Sequence, residues 1–236
     1  MMMNTTHSAV YPLAAGAEPS ERALFIRRTY SHLAASILIF AGLTGLLLNT
    51  PLGVTLARSM IGTPLGWVLV LGLFMGASWI ANRWARSETS LGKQYAGLGL
   101  YIVAEAVIFL PILFVANYYY EGIILQAGIY TGLLFLGLTA IVFITRSDFS
   151  FLGPILAIAG VVAMGVIICS LLFGFGLGTL FSGLMILFAG GAILYDTSNI
   201  LHHFRTDQHV AASLSLFASV ALLFFYILRL LMAFRD

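Results

Sequence analysis

The sequence is poor in charged residues. Only 8% of its 236 residues are Asp, Glu, Lys or Arg, and 61% are hydrophobic, whereas a typical soluble domain is about 25% charged. A water-soluble fold could not cover so much apolar surface with 11 basic and 9 acidic side chains. We therefore expect an integral membrane protein whose first partner is the lipid bilayer.

Other absences exclude further classes of function. The net charge of +2 is small and its basic residues are scattered, which is not the pattern of a nucleic-acid-binding protein. The single cysteine, Cys169, lies in an apolar run and cannot form an intrachain disulfide. The sequence contains no H-E-x-x-H, no G-x-S-x-G and no phosphate-binding loop. A non-enzymatic protein without a cofactor is therefore expected.

Seven apolar segments are long enough to cross a bilayer, which takes about 20 residues per helix. They cover approximately 33–48, 65–81, 96–116, 122–144, 153–173, 179–200 and 210–232. Short sequences rich in Gly, Pro and Ser separate them, so neighbouring helices should be antiparallel. The pattern predicts an all-α bundle of seven transmembrane helices over residues 21–236, preceded by a flexible cytoplasmic tail over residues 1–20.

The basic residues predict how this bundle is oriented, because cytoplasmic loops are enriched in Lys and Arg. A cytoplasmic N-terminus puts eight basic residues inside: Arg22, Arg27, Arg28, Arg83, Arg86, Lys93, Arg146 and Arg205. Three remain outside: Arg58, Arg229 and Arg235. With seven spans, the C-terminus is then external.

Glycines recur at the spacing that lets membrane helices approach closely. Gly72 and Gly76 in "GLFMG", and Gly128 and Gly132 in "GIYTG", form small-xxx-small patterns. We expect these four glycines to pack helices within one bundle.

Two acids, Glu105 and Asp196, lie inside predicted spans. A carboxylate in the membrane costs about 2.5 kcal/mol or more, so both are candidate functional groups. Glu105 lies near the middle of its segment, one turn after Tyr101, and the alternative is a protonated acid with a structural hydrogen bond. Asp196 lies near the cytoplasmic end of the sixth segment, where the alternative is an ordinary helix-end residue. Arg83 or Arg86 would approach Asp196 if the second and sixth segments are neighbours.

Histidines follow the sixth segment. His202, His203 and His209, with Asp207, could be read as metal ligands. Adjacent histidines point to different helix faces, and the spacing matches no recognisable metal site. We interpret them as interfacial residues and expect no metal.

The stretch "GAILYDTSNILHH" at 191–203 resembles the signature of the Bax inhibitor-1 family, in which the sixth helix ends with an apolar run, an aromatic, an acid and a polar stretch leading to histidine. The length, the seven spans and "RRTYSHLAASI" before the first span also fit. The resemblance implies a seven-helix bundle with one central helix. In some members of the family, two aspartates form a pH-sensitive pair that controls a calcium leak, and the resemblance raises the same possibility for this chain.

Asp196 matches the first of those aspartates, whereas "LSLFAS" places Ser219 at the second. A carboxyl beside a serine lacks the repulsion that couples two carboxyls. In this respect the chain resembles the bacterial YccA-like branch, whose members associate with an FtsH-type membrane AAA protease and modulate its proteolysis. The resemblance therefore implies an inner-membrane regulator of protein quality control. The alternative is a pH-sensitive leak for calcium or another cation that uses Asp196 and Glu105.

Overall fold

Eight α-helices make up most of the part of the chain that the structure describes. A computed structural model describes residues 11–61, 64–87 and 90–235, with the side chains of 64–69 also outside the described part. A short 3-10 turn, Ala14–Gly16, precedes the first helix. The helices are α1 (Pro19–Leu48), α2 (Pro51–Ile61), α3 (Pro64–Ala85), α4 (Leu91–Tyr119), α5 (Ile123–Thr145), α6 (Leu152–Phe173), α7 (Thr179–His202) and α8 (His209–Ala233).

Local sequence signals explain several of the helix ends. Proline stands at the first position of α1, where its missing N–H costs no hydrogen bond. The Ser90 side chain accepts a hydrogen bond from the Lys93 N–H and caps α4. Gly174 ends α6 in the left-handed conformation, with φ of 73°.

Each of the seven predicted segments coincides with a helix, but two features differ from the prediction. The first helix begins at Pro19 instead of near residue 33, because its first turns carry Ser, Glu and Arg and are not apolar. The helix α2 was not among the predicted segments, because its 11 residues are too few to cross a bilayer.

Six helices are long and apolar enough to cross a membrane: α1, α4, α5, α6, α7 and α8. They establish an integral membrane protein. The predicted segment 65–81 falls on α3, which is not among these six and whose first six side chains lie outside the described part. The count of seven spans therefore stays a prediction.

The centre of the bundle is α8, which contacts α1, α3, α4, α5 and α7. Its side chains fill the core, and Leu216, Phe217 and Leu223 are almost fully buried. This arrangement agrees with the central helix that the family resemblance implies. By contrast, α6 lies at the periphery and exposes large apolar side chains such as Ile158 and Val161, which would face lipid.

The glycines that pack helices closely are not the predicted ones. Side chains added at Gly72, Gly76, Gly128 and Gly132 would meet open space, so the prediction that they pack helices within the chain is wrong. The spacing was right for a close contact, but these glycines lie on faces that no neighbouring helix covers.

The close approach between α3 and α4 occurs at Gly97. A Cβ atom there would lie 2.5 Å from the carbonyl oxygen of Ala81 and 2.7 Å from the amide nitrogen of Ala85. The small side chains of the two alanines let the helix backbones meet at this point.

The segment before α1 pairs with the loop between α7 and α8. The Ala14 N–H donates to the Phe204 carbonyl at 2.8 Å, and the Thr206 N–H donates to the Pro12 carbonyl at 3.2 Å. Ala14 is fully buried. This portion of the tail that we expected to be flexible is therefore hydrogen-bonded to the bundle, while residues 1–10 lie outside the described residues.

Candidate functional site

The acid of the sixth predicted segment meets the serine of the seventh. On α8, the Ser219 hydroxyl donates to Asp196 Oδ2 on α7 at 2.6 Å, a distance typical of a strong O–H···O bond. The two helices are packed along each other, and Ser219 is buried. The structure therefore brings together the two positions that the family motif singles out.

A polar cavity of about 400 Å³ opens beside Asp196, at the end of the bundle where α7 ends and α8 begins. Its lining comes from four parts of the chain and is mostly polar. The residues are Arg86, Ser150, Tyr195, Asp196, Asn199, His203, Phe204, Gln208 and Ser215. The cavity is thus lined by residues that carry a carboxyl, a guanidinium, an imidazole, two amides and three hydroxyls.

The two candidate arginines lie in different places. Arg86, just after α3, lines the cavity together with Asp196. The guanidinium of Arg83 instead lies over the Trp79 ring, 5.5 Å from its centroid, which is the geometry of a cation–π contact. Arg86 is therefore the cation placed to face Asp196 across the cavity.

Glu105 is buried on α4 and does not line this cavity. Its side chain is hydrogen-bonded to Tyr101, one turn earlier, as the i, i+4 spacing suggests. The Tyr101 ring in turn packs edge-on against Phe217 of α8, with centroids 6.1 Å apart. Glu105 thus occupies a separate interior position, joined to the Ser219 region of α8 through Tyr101.

A second cluster, which the sequence did not indicate, lies beside the cavity, next to its lining residues Ser150 and His203. The loop between α5 and α6 reaches the end of α7, where the Phe149 N–H donates to Ser198 Oγ at 2.8 Å. His203 Nε2 lies 3.2 Å from Asp148 Oδ2. These partners are about 50 residues apart in the chain, so no local spacing connects them.

Asp148 has a local signal that was available in the sequence. In "DFS", its Oδ1 accepts the Ser150 N–H at 2.9 Å, which is an Asx turn. That backbone hydrogen bond, with smaller help from the Ser150 and His203 side chains, lowers the pKa of Asp148 to about 2. The carboxyl is therefore ionised throughout the physiological range.

The histidines after α7 do not converge on one point. His203 contacts Asp148, while His209 packs against His32 of α1 with ring centroids 5.1 Å apart. His202 Nδ1 lies 3.0 Å from the Ser198 carbonyl. Within the described ranges, no group of three or more His, Cys, Asp and Glu side chains is placed to hold a metal ion.

The fold and the cavity define a polytopic helical membrane protein in which a carboxyl on a candidate membrane span lines a cavity at one end of the bundle. A family model described as "Inhibitor of apoptosis-promoting Bax1" matches residues 22–236. The chain belongs to this family, the Bax inhibitor-1 family, which confirms the resemblance found in the sequence.

Several characterised and uncharacterised proteins are similar to the chain. An uncharacterized protein of Pseudomonas aeruginosa is 29% identical over 218 residues, which cover 92% of each chain. "Modulator of FtsH protease YccA" of Escherichia coli strain K12 is 33% identical over 186 residues, covering 75% of this chain and 80% of the relative. "Bax inhibitor 1" of Schizosaccharomyces pombe is 29% identical over 217 residues, covering 90% and 77%.

Proposed function

We propose that the chain is a non-enzymatic regulator of membrane-protein quality control that modulates an FtsH-type AAA protease in a bacterial inner membrane. The observation that carries this proposal is the 33% identity, over 75% of the chain, to a relative named for modulation of FtsH protease. A second similar relative, from another Escherichia coli strain, is named as an inner membrane protein. Both names describe the relatives, and their transfer to this chain is the proposal.

The end of the bundle that carries the cavity is the surface we assign to the protease. The start of α1, the N-terminal segment and the α7–α8 loop meet there, and Arg22 reaches across to donate to the Leu201 carbonyl at 3.4 Å. The eight basic residues assigned to the cytoplasm belong to loops and helix ends of this same end. A protease whose AAA domain is cytoplasmic would therefore meet the N-terminal segment first.

The test is proteolysis in a reconstituted membrane. We would place the full chain and an FtsH-type protease in the same proteoliposomes and measure cleavage of a membrane substrate and of the chain itself. We expect the chain to slow cleavage of the substrate, and deletion of residues 1–10 to lengthen the lifetime of the chain. The matched control replaces residues 1–10 by a Gly-Ser sequence of equal length, which separates loss of a specific segment from loss of length. Unchanged substrate cleavage would overturn the proposal.

One observation favours a second candidate function, a pH-sensitive leak for calcium or another cation. Asp196 lines a polar cavity with Asn199 and Gln208, and the hydroxyls of Ser150 and Ser215 also face it. Carboxylate, amide and hydroxyl oxygens are the ligands that Ca²⁺ takes in proteins. Calcium flux in proteoliposomes without protease separates the two functions, because a pure protease regulator would give no flux.

A further inference from the structure

Three side chains fasten the loop between α5 and α6 to the end of α7. They are Asp148 in the loop, Ser198 on α7 and His203 directly after α7, and we refer to them as the loop latch. Ser198 Oγ accepts the Phe149 N–H at 2.8 Å and lies 3.3 Å from Asp148 Oδ1. His203 Nε2 lies 3.4 Å and 3.2 Å from the two Asp148 oxygens. One carboxylate is thus shared between a hydroxyl and an imidazole.

The two halves of the latch differ in their response to pH. Ser198 is fully buried, and its hydrogen bond with the Phe149 amide does not titrate. The side chains of His203 and Asp148 are 49% and 47% exposed, so protons reach them from water. The pKa of Asp148 is lowered to about 2, chiefly by the Ser150 N–H. Its charge is present above its ordinary pKa of about 4 and is lost only as pH falls through the lowered value, so it is constant near neutral pH.

An imidazole, by contrast, changes its charge between about pH 5 and 8. A protonated His203 makes a charge-assisted hydrogen bond with the ionised Asp148. It also stands directly after the last residue of α7, where the helix dipole favours a cation. Protonation of His203 therefore strengthens the contact between the loop and α7, and loss of the proton weakens it.

The loop latch lies beside the cavity that contains Asp196. His203 lines that cavity from the end of α7, and Ser150, two residues after Asp148, lines it from the loop. The loop and the end of α7 thus both form part of the cavity wall.

We propose that the loop latch makes the opening of the Asp196 cavity narrower or wider according to pH. With His203 protonated, the loop is held against α7 and the opening is narrow. With His203 neutral, Ser198 and an uncharged hydrogen bond hold the loop more weakly, and the opening is wider. This proposal concerns access to the cavity and holds whether the protein modulates a protease, conducts ions or does both.

Other charged and titratable groups lie in the region of His203, and several of them face a group of opposite charge. They are Arg22 from α1, Arg86 and Asp196 across the cavity, Arg205 and Asp207 in the following loop, and His202 beside it. Arg205 is paired with Asp207 at 2.8 Å, and Arg86 faces Asp196 in the cavity. Asp148 is the acid in direct contact with His203. His202, the adjacent imidazole, lies against the Ser198 carbonyl instead and is therefore the natural control.

The test measures how fast a thiol reagent enters the cavity. In a chain with Cys169→Ser, the near-isosteric change Ser215→Cys places one thiol on the cavity wall. A membrane-impermeant methanethiosulfonate is applied in proteoliposomes at pH 5.5 and pH 8. Each rate is divided by that of a Lys93→Cys chain, whose exposed thiol at the same end of the bundle corrects for thiol ionisation. We expect the corrected rate to be about threefold higher at pH 8, the size that a half-exposed ion pair allows.

Three variants decide whether the loop latch causes this difference. His203→Gln keeps a hydrogen-bond donor without a charge and should give the faster rate at both pH values. Asp148→Asn should do the same, and His202→Gln should keep the dependence of the wild type. The proposal is overturned if the wild type labels equally at both pH values, if His203→Gln keeps the threefold difference, or if His202→Gln abolishes it. The two latch side chains are half-exposed, and an unchanged elution profile in detergent confirms that their variants fold.

Discussion

The hydrogen bond between Ser219 and Asp196 determines what kind of titration this site supports. At 2.6 Å, an aspartate in place of the serine would bring two carboxyls into contact, and two carboxyls so close cannot both ionise independently. With a serine there, Asp196 titrates as a single group, with a hydroxyl donor on one side and Arg86 across the cavity. We therefore expect a shallower response to pH than in relatives with two acids.

Ser219→Asp tests that expectation at the level of a single residue. We expect the change to make the pH dependence of calcium flux or protease binding steeper, because two coupled carboxyls share a proton. Ser215→Asp is the matched control, since Ser215 lies one turn earlier on α8 and lines the same cavity. Both variants also carry His203→Gln, so that the loop latch adds no pH dependence of its own. Equal steepness in Ser219→Asp and Ser215→Asp would contradict the expectation.

At the residue level, the sequence predicted the site residues that stand in a recognisable local motif. Asp196 and Ser219 were found because each lies in a recognisable stretch, and Glu105 because an acid is conspicuous in an apolar run. The contact of Asp148 with His203 joins residues 55 apart, and no spacing rule connects such positions. The choice between Arg83 and Arg86 likewise needed the structure, because the two arginines are only three residues apart in the sequence.

Among the elements, α3 and α4 approach each other closely at Gly97. A Cβ atom at Gly97 would lie 2.5 Å and 2.7 Å from backbone atoms of α3. Backbone atoms cannot rotate away as a side chain would. The helices would have to separate to accept even a methyl group.

Gly97→Ala is therefore expected to lower the stability of the bundle by about 1–3 kcal/mol, the usual cost of overpacking. Gly99→Ala is the control on the same helix, because a Cβ there meets open space. Thermal unfolding in detergent would compare the two, and we expect a lower midpoint for Gly97→Ala only. Equal midpoints would show that α3 and α4 do not approach as closely as described.

Hydropathy predicted the apolar part of each element and missed the parts that are not apolar. The first turns of α1 and the short helix α2 are helical because they pack on other helices. For α2 these are α1, α3 and α4. Such packing does not require a long apolar run in the sequence, so hydropathy does not detect it. The small-xxx-small patterns failed for a related reason. Glycine spacing marks a smooth helix face but does not say whether another helix covers it.

Across the whole molecule, the first and last parts of the described chain lie at opposite ends of the central helix. The N-terminal segment pairs with the loop before α8. At the other end, Arg235, just after α8, donates to the Glu121 carbonyl between α4 and α5 and to the Gln126 side chain near the start of α5, each at 3.0 Å. The eight and three basic residues divide between the same two ends. This division supports the proposal of a cytoplasmic N-terminus and an external C-terminus.

Reporter fusions after Asp236 test this orientation. We expect an alkaline phosphatase fused there to be active and a green fluorescent protein fused there to be dark, because the C-terminus would be external. The same reporters fused before residue 1 serve as the control and should behave in the opposite way. A fluorescent C-terminal fusion would reverse the orientation and remove the cavity from the cytoplasmic side.

The most direct test of the whole proposal asks whether Asp196 is the working group of the site. Calcium flux and binding of an FtsH-type protease would be measured in the same proteoliposomes from pH 5.5 to 8, with and without Asp196→Asn, in chains that carry His203→Gln. Asparagine keeps the shape of the side chain but cannot ionise, so we expect the pH dependence of whichever activity is present to disappear. If Asp196→Asn keeps the pH curve of its parent chain, Asp196 is only a helix-end residue and the assignment of the site is wrong.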